Sequence, residues 1–158
     1  MLGVADADSR GRLGSDGLCM TPRYELFDHT ADLGVRVTAP TLPALVRPAT
    51  DGLYAAIGEV VARDAPTCWT LELSGDDPSL LLRDYLAELL HLFDTQHRRV
   101  TDVDVREFSA ERLAVSGQAR PIDPAASRLE REVKAVTYHE LAIRRIAGGF
   151  EAVYIVDI

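Results

Sequence analysis

The chain closes on Val153-Tyr154-Ile155-Val156-Asp157-Ile158, and this stretch decides which fold the sequence is expected to adopt. Its apolar, largely β-branched residues predict a strand that runs to the last positions. Asp157 shares a strand face with Val153 and Ile155, so its carboxylate leaves a partly apolar face. A charge in such a place needs a counter-ion or hydrogen bonds, and the terminal carboxylate of Ile158 lies only one residue away.

A third carboxylate stands in His29-Thr30-Ala31-Asp32, which interrupts an apolar run near the other end of the chain. An antiparallel sheet that joins the first and last strands would bring Asp32 to Asp157. Three carboxylate groups are the oxygen ligands that a hard cation such as Ca²⁺ selects. Two plainer interpretations stay open: Asp157 solvates a strand end, and Thr30 or Asp32 bonds its own backbone in a polar turn.

Two helices are predicted from the spacing of the apolar residues. The first covers residues 42–57, with Thr41 as its N-cap. An interior proline costs roughly 3 kcal/mol, so Pro48 predicts a kink or a break near residue 47. The second helix begins near residue 79, where Asp77 can cap it and Pro78 can take the first helical position.

Strands are predicted where apolar residues alternate or run together between turn residues. Gly148-Gly149 is a hairpin signal between the last two strands. Two helices with about seven mostly antiparallel strands make a single α+β domain. The expected strands cover residues 24–27, continued at 35–38 after a polar interruption, 68–73, 100–108, 112–118, 133–138, 141–146 and 150–156, with a loop at 121–126.

The first twenty residues are interpreted separately from the domain. They are rich in glycine and lack the apolar core of a signal peptide. A second methionine, Met20, precedes the first patterned segment. We therefore expect residues 1–20 to be a disordered extension or an over-assigned start, and residues 21–158 to form the domain.

Composition narrows the class of protein. The formal net charge is −8, which argues against tight wrapping of a nucleic-acid backbone, so any action on RNA is expected to go through another protein. No apolar run approaches a membrane span, which favours a soluble chain. Cys19 and Cys68 form neither a disulfide framework nor a zinc cluster, and a cytoplasmic location fits best. Cys68 is expected to be a small buried hydrophobe.

The block Lys134-Ala135-Val136-Thr137-Tyr138-His139 contains the only lysine of the chain. Strand alternation points Lys134, Val136 and Tyr138 one way and Ala135, Thr137 and His139 the other. A surface strand with an apolar inner row explains this pattern equally well. His139 by itself is a poor metal ligand candidate, because no second histidine is spaced to form a transition-metal site. The acidic face around Asp84 and Glu88 is interpreted as a solvated helix face.

Four separated segments together resemble the archease family. The resemblance covers about residues 24–158, and the four segments stand in that family's order. The N-terminal extension and Pro48 depart from the family pattern. The segments are residues 27–34 (FDHTADLG), 88–95 (ELLHLFDT), 134–139 (KAVTYH) and 156–158 (VDI).

The resemblance implies a function and a set of site residues. Archeases are cofactor proteins of the tRNA-splicing RNA ligase, which joins a 2′,3′-cyclic or 3′-phosphate end to a 5′-hydroxyl. They promote guanylylation of the ligase's active-site histidine and multiple turnover, and no catalytic activity of their own is expected. The family's metal ligands carry over to Asp32, Asp157 and the carboxylate of Ile158, for Ca²⁺ or another hard divalent cation. His29, Lys134 and His139 are candidate partner-contact or positioning groups.

Two other functions remain as alternatives. A calcium-dependent, chaperone-like binding module would hold partly folded clients on exposed sheet edges. A small metal-dependent hydrolase would need an acid or base near the ion, and only His29 or His139 could serve.

Overall fold

The computed structural model describes residues 20–158, so the predicted extension lies outside the described residues apart from Met20. The expected α+β architecture is confirmed: two helices pack against antiparallel sheets. The helices are α1 Val46–Ile57, preceded by a 3-10 turn at Pro43–Leu45, and α2 Pro78–Gln96. The strands are β1 Arg23–His29, β2 Asp32–Ala39, β3 Gly58–Glu59, β4 Thr67–Ser74, β5 Arg98–Phe108, β6 Arg112–Pro121, β7 Arg128–Leu129, β8 Ala135–Val136, β9 Ala142–Ile146 and β10 Gly149–Asp157.

The main sheet is built around β10. Its order is β1-β2-β10-β8, and β9 pairs with the earlier part of β10 on the same side as β8. All of these pairs are antiparallel. The expectation that strands from the two ends of the chain meet in one antiparallel sheet is therefore confirmed.

The expected number of strands, about seven, is wrong, since the described residues contain ten strands in three sheets. β4, β6 and β5 form a second antiparallel sheet, and β3 pairs with β7. Three of the ten strands, β3, β7 and β8, have only two residues each. A period of two cannot be recognised over so short a segment, which is why the sequence pattern misses β3 and β7 and overstates β8.

Three buried tyrosines connect the helices to each other and to the sheets. The Tyr154 hydroxyl on β10 donates to the Ala49 carbonyl of α1 at 2.7 Å. Tyr85 on α2 lies 2.7 Å from the Thr50 hydroxyl, which itself donates to a carbonyl of α1. The Tyr54 hydroxyl of α1 accepts a hydrogen bond from the Val100 amide of β5 at 3.0 Å. Burial raises the pKa of Tyr54 to about 12, and it also raises the pKa values of Tyr85 and Tyr154.

The predicted start of α2 agrees with the structure, whereas α1 begins at Val46 and not at residue 42, because a 3-10 turn precedes it. Asp77 caps α2 by accepting the Ser79 amide at 2.8 Å, with Pro78 at the first helical position. Ahead of α1, the Thr41 hydroxyl accepts the Ala44 amide at 3.3 Å. Near residue 47, where a kink or break was expected, the 3-10 turn passes into α1 without a break, because Leu45 and Val46 both keep helical backbone angles. Pro48 then falls in the first turn of α1, where its missing N–H has no partner to lose.

Cys68 is exposed, so the expectation of a buried hydrophobe is wrong. β4 lies at the edge of the second sheet, and alternate residues Cys68, Thr70 and Glu72 all face solvent. The half-buried row of that strand begins one position later, at Trp69. Among the described residues, no helix is both long and apolar enough to cross a lipid bilayer.

Candidate metal-binding site

The first element of the candidate site is the hairpin between β1 and β2. His29 pairs with Asp32, which leaves Thr30 and Ala31 as its two-residue turn. Thr30 has φ 35°, a left-handed conformation that tight hairpin turns require and that costs a threonine some strain. The chain therefore turns at this motif and holds His29 and Asp32 opposite each other, but the side-chain bond of Thr30 or Asp32 to its own backbone is not found among the described residues.

The second element is the pairing of β2 with β10. Val156 pairs with Leu33, and β10 ends at Asp157 just as β2 begins at Asp32. The same register therefore sets Asp157 opposite Asp32. Opposite residues of an antiparallel pair have Cβ atoms about 4.5–5.5 Å apart. Both aspartates are half-buried.

The third element is β8, on the other side of β10. Asp157 pairs with Ala135, and the Lys134 amide donates to the Asp157 carbonyl at 2.8 Å. Extending this register by one residue sets Ile158 opposite Lys134. The backbone around the lysine thus fixes the end of β10, and both Lys134 and Ile158 are exposed.

The fourth element is the loop between β8 and β9, which leaves the edge of β10 and carries His139 and Glu140. The imidazole rings of His139 and His29 meet edge to face, with centroids 5.3 Å apart. Glu140 lies 3.3 Å from His29 Nε2 and 3.8 Å from His139 Nε2. The expectation that no second histidine accompanies His139 is wrong, because the fold brings together residues that are far apart in sequence.

Helix α2 holds this loop from both sides. The Arg83 Nε donates to the Val136 carbonyl at 2.9 Å, and its guanidinium lies 4.3 Å from the centroid of the Tyr138 ring. Beyond the loop, the Ser79 hydroxyl accepts the Ile143 amide at 3.0 Å. The sequence reasoning missed Arg83, Ser79 and Glu140. Only the position of Glu140 directly after His139 offered a signal.

The expected solvated face of α2 agrees with the structure around Glu88, which is exposed. Asp84 is about half exposed and pairs with the neighbouring Arg83 at 3.0 Å. Neither carboxylate belongs to the cluster of His29, His139 and Glu140.

An apolar layer supports the hairpin on the face of the sheet opposite α1. The Phe27 ring lies directly over Gly34, so that a Cβ at Gly34 would come within 2.6 Å of three ring atoms. Ile155 pairs with Gly34 and is completely buried, and the Arg36 guanidinium lies 5.0 Å from the Phe27 ring centroid. The glycine is required here by the ring that covers it.

The donor set at the strand ends fits a hard cation. Two carboxylates directly opposite each other on neighbouring strands repel, and a divalent cation between them removes that repulsion. Asp32, Asp157 and the terminal carboxylate of Ile158 supply only oxygen, which is the ligand chemistry of Ca²⁺. The adjoining cluster of His29, His139 and Glu140 has different chemistry, because it offers two imidazoles and one carboxylate.

Comparisons with known proteins identify relatives over nearly the whole described chain. The model of the archease protein family matches residues 24–158. Protein archease from Methanopyrus kandleri is 34% identical over 138 residues, which cover 85% of this chain and 99% of that protein. Protein archease from Archaeoglobus fulgidus is 30% identical over 136 residues, covering 86% of this chain and 99% of that protein.

Solved structures share the fold. A solution structure of Methanobacterium thermoautotrophicum protein 1598 has a TM-score of 0.62 at 27% identity, covering 85% of this chain and 98% of that chain. A crystal structure from Thermotoga maritima, described as an archease and possible chaperone, has a TM-score of 0.58 at 17% identity, covering 85% of this chain and 96% of that chain. Because the family model and the curated relatives span the whole domain described above, the chain belongs to the archease family.

Proposed function

We propose that this protein activates the tRNA-splicing RNA ligase in the cytoplasm and catalyses no reaction itself. In this role it promotes guanylylation of the ligase's active-site histidine, so that each ligase molecule completes many joining reactions. The observation that carries the proposal is the register that sets Asp157 opposite Asp32 at one end of the main sheet. Membership of the archease family supports the choice of partner that we propose.

The site we propose for this role takes Ca²⁺ or another hard divalent cation. Asp32, Asp157 and the terminal carboxylate of Ile158 supply protein ligands, and water or backbone oxygens complete a shell of six to eight. When bound, the ion supplies positive charge at an otherwise acidic strand end. The backbone of Lys134 orients Asp157 by donating to its carbonyl at 2.8 Å.

The same end of the molecule offers groups that a partner protein can contact. Tyr138 is 64% exposed, and His139 and Lys134 are exposed beside it. The chain carries a net charge of −8, which complements the basic surface that an RNA ligase needs for its substrate. Complementary charge speeds encounter and orients the two proteins, so RNA is engaged only through the ligase.

The test is a turnover assay with limiting ligase, GTP and RNA carrying the two kinds of end. Asp32→Asn and Asp157→Asn keep the side-chain shape and remove the charge, and both are expected to abolish multiple-turnover activation. Asp76→Asn is the matched control, because Asp76 is an exposed carboxylate in the turn before α2. Full activation by both site variants would refute the proposed role. Turnover of a phosphoester by the isolated protein would refute the absence of catalysis.

A chaperone-like module is the second candidate function. Among the described strands, β1 pairs only with β2, so its outer edge is open to an added strand, and Tyr24 on β1 is 40% exposed. The Thermotoga maritima relative is itself described as a possible chaperone. This function predicts calcium-dependent suppression of aggregation for unrelated proteins. An effect limited to the ligase would favour the activator instead.

A further inference from the structure

We propose that His29, His139 and Glu140 form a second metal site, for a divalent transition-metal ion that accepts imidazole nitrogen, such as Zn²⁺. It is distinct in donor chemistry from the all-oxygen site at the strand ends. The proposal stands whether or not the protein activates a ligase, because it uses only the geometry of these three side chains.

The distances are close to those of a coordinated ion. One ligand atom from each of the three residues lies within 4.8 Å of the other two. Glu140 approaches His29 Nε2 at 3.3 Å and His139 Nε2 at 3.8 Å, through different carboxylate oxygens. Ligand atoms at about 2.0–2.2 Å from a zinc ion are roughly 3.0–3.5 Å apart. The remaining approach needs only side-chain rotation, since the His139 side chain is 64% exposed and that of Glu140 is 53% exposed.

The backbone that carries the three ligands is fixed from two directions. His29 ends β1 and is held by its pairing with Asp32. The other segment is held by α2 on both sides, as described above, and the Thr137 hydroxyl accepts the His139 amide at 3.2 Å. Glu140 has φ 51°, a left-handed conformation that is unfavourable for a residue with a side chain. The fold thus maintains a costly backbone geometry at the residue that bridges the two histidines.

The arrangement of the two imidazoles also points to a shared ligand. An ion pair between His29 and Glu140 involves one ring and gives the second imidazole, packed at 5.3 Å, no part in the contact. Glu140 faces both rings and turns a different carboxylate oxygen toward each Nε2, so a single ion between the three side chains would use all of them.

The donor set selects the class of ion. Two imidazoles and one carboxylate suit zinc and its neighbours in the first transition series, whereas Ca²⁺ prefers oxygen alone. Three protein ligands leave at least one coordination position for water or for a group from another molecule. That position is accessible, because two of the three ligands are exposed.

The experiment uses the full chain in a Cys19→Ser, Cys68→Ser background, so that thiols cannot bind the ion. Metal is first removed by chelation, and Ca²⁺ is then kept in excess. Zn²⁺ binding is measured by calorimetry, and Co²⁺ is used as a probe with visible ligand-field absorption. We expect one ion per chain, with imidazole resonances of both His29 and His139 shifting in the NMR spectrum.

The variants His139→Gln and Glu140→Gln are expected to weaken Zn²⁺ binding at least tenfold and to change the Co²⁺ spectrum. His91→Gln is the matched control, because His91 is exposed on α2 outside the cluster. Equal Zn²⁺ affinity in the control and in His139→Gln would overturn the proposal. So would failure of the folded parent protein to bind Zn²⁺ at stoichiometric concentration. His139 is an exposed loop residue, so the comparison remains valid even if a His29 variant does not fold.

Discussion

Replacement of Gly34 by alanine tests the packing that supports the hairpin of the candidate site. No left-handed backbone is involved, and the nearest obstacle to the new Cβ is the Phe27 ring, three atoms of which would lie within 2.6 Å. Carbon atoms in contact are ordinarily about 3.5–4.0 Å apart, so the ring must recede by roughly 1 Å or swing away. Such overpacking costs about 1–3 kcal/mol. For a chain of this size, each kcal/mol lowers the Tm by roughly 2–4 °C.

The ring's role is isolated by a double-mutant cycle. In a Phe27→Ala background the obstacle is gone, and Gly34→Ala is expected to stabilise the strand by about 0.5–1 kcal/mol, because alanine loses less backbone freedom on folding. The coupling energy between the two positions is then about 1.5–4 kcal/mol. Urea unfolding followed by circular dichroism measures each corner, and fluorescence of the single tryptophan, Trp69, checks that the second sheet unfolds in the same transition. If Gly34→Ala costs the same in both backgrounds, the ring is not the obstacle and the reasoning fails.

Three further predictions follow from contacts elsewhere in the molecule. A short peptide appended after Ile158 is expected to abolish Ca²⁺ binding measured by calorimetry while leaving the Tm of the ion-free protein unchanged; undiminished affinity would exclude the terminal carboxylate as a ligand. Because the pKa of Tyr54 is about 12 and those of Tyr85 and Tyr154 are also raised, the folded state keeps protons that the unfolded state loses above pH 10. Stability should therefore fall as pH rises beyond 10, by about 1.4 kcal/mol per pH unit for each such phenol, and the tyrosinate absorbance of these three buried phenols should appear together with the loss of circular dichroism. Asp77→Ala removes the cap of α2 and is expected to cost about 1 kcal/mol in urea unfolding; no loss would mean that water replaces the cap.

The parts of the fold that were predictable are those governed by local rules. The cap at Asp77 and the place of Pro78 at the first helical position follow from the hydrogen-bonding needs of the first helical turn, which a sequence displays directly. Pro48 was expected to lie inside the helix, and that expectation was wrong because the 3-10 turn moves the start of α1 to Val46. The turn at Thr30 and the long strand β10 follow from turn residues and β-branched runs. The pairing of β2 with β10 was predicted only because a cation shared by Asp32 and Asp157 would require it. The register that sets Asp157 opposite Asp32 agrees with that pairing.

The parts that were not predictable depend on which strands become neighbours. The meeting of His29 with His139 needs β1, β2, β10 and β8 to lie in that order, and no local pattern encodes the order. β8 is shorter than the predicted strand for a similar reason. β9 replaces β8 as the neighbour of β10, so the residues between them leave the sheet. Arg83 appeared to be one more charged residue on a solvated helix face. Only its bond to the Val136 carbonyl shows that it positions the loop.

The central position of β10 has a consequence for how the protein is made. Tyr154 of that strand bonds to Ala49 of α1, and the two residues are separated by 105 positions in sequence. At a synthesis rate of 5–20 residues per second, α1 waits roughly 5–20 s for this hydrogen-bond partner to leave the ribosome. During that time β2, which α1 already contacts, has one unpaired edge. Nascent chains are therefore exposed to aggregation for seconds, and heterologous expression should improve when translation is fast.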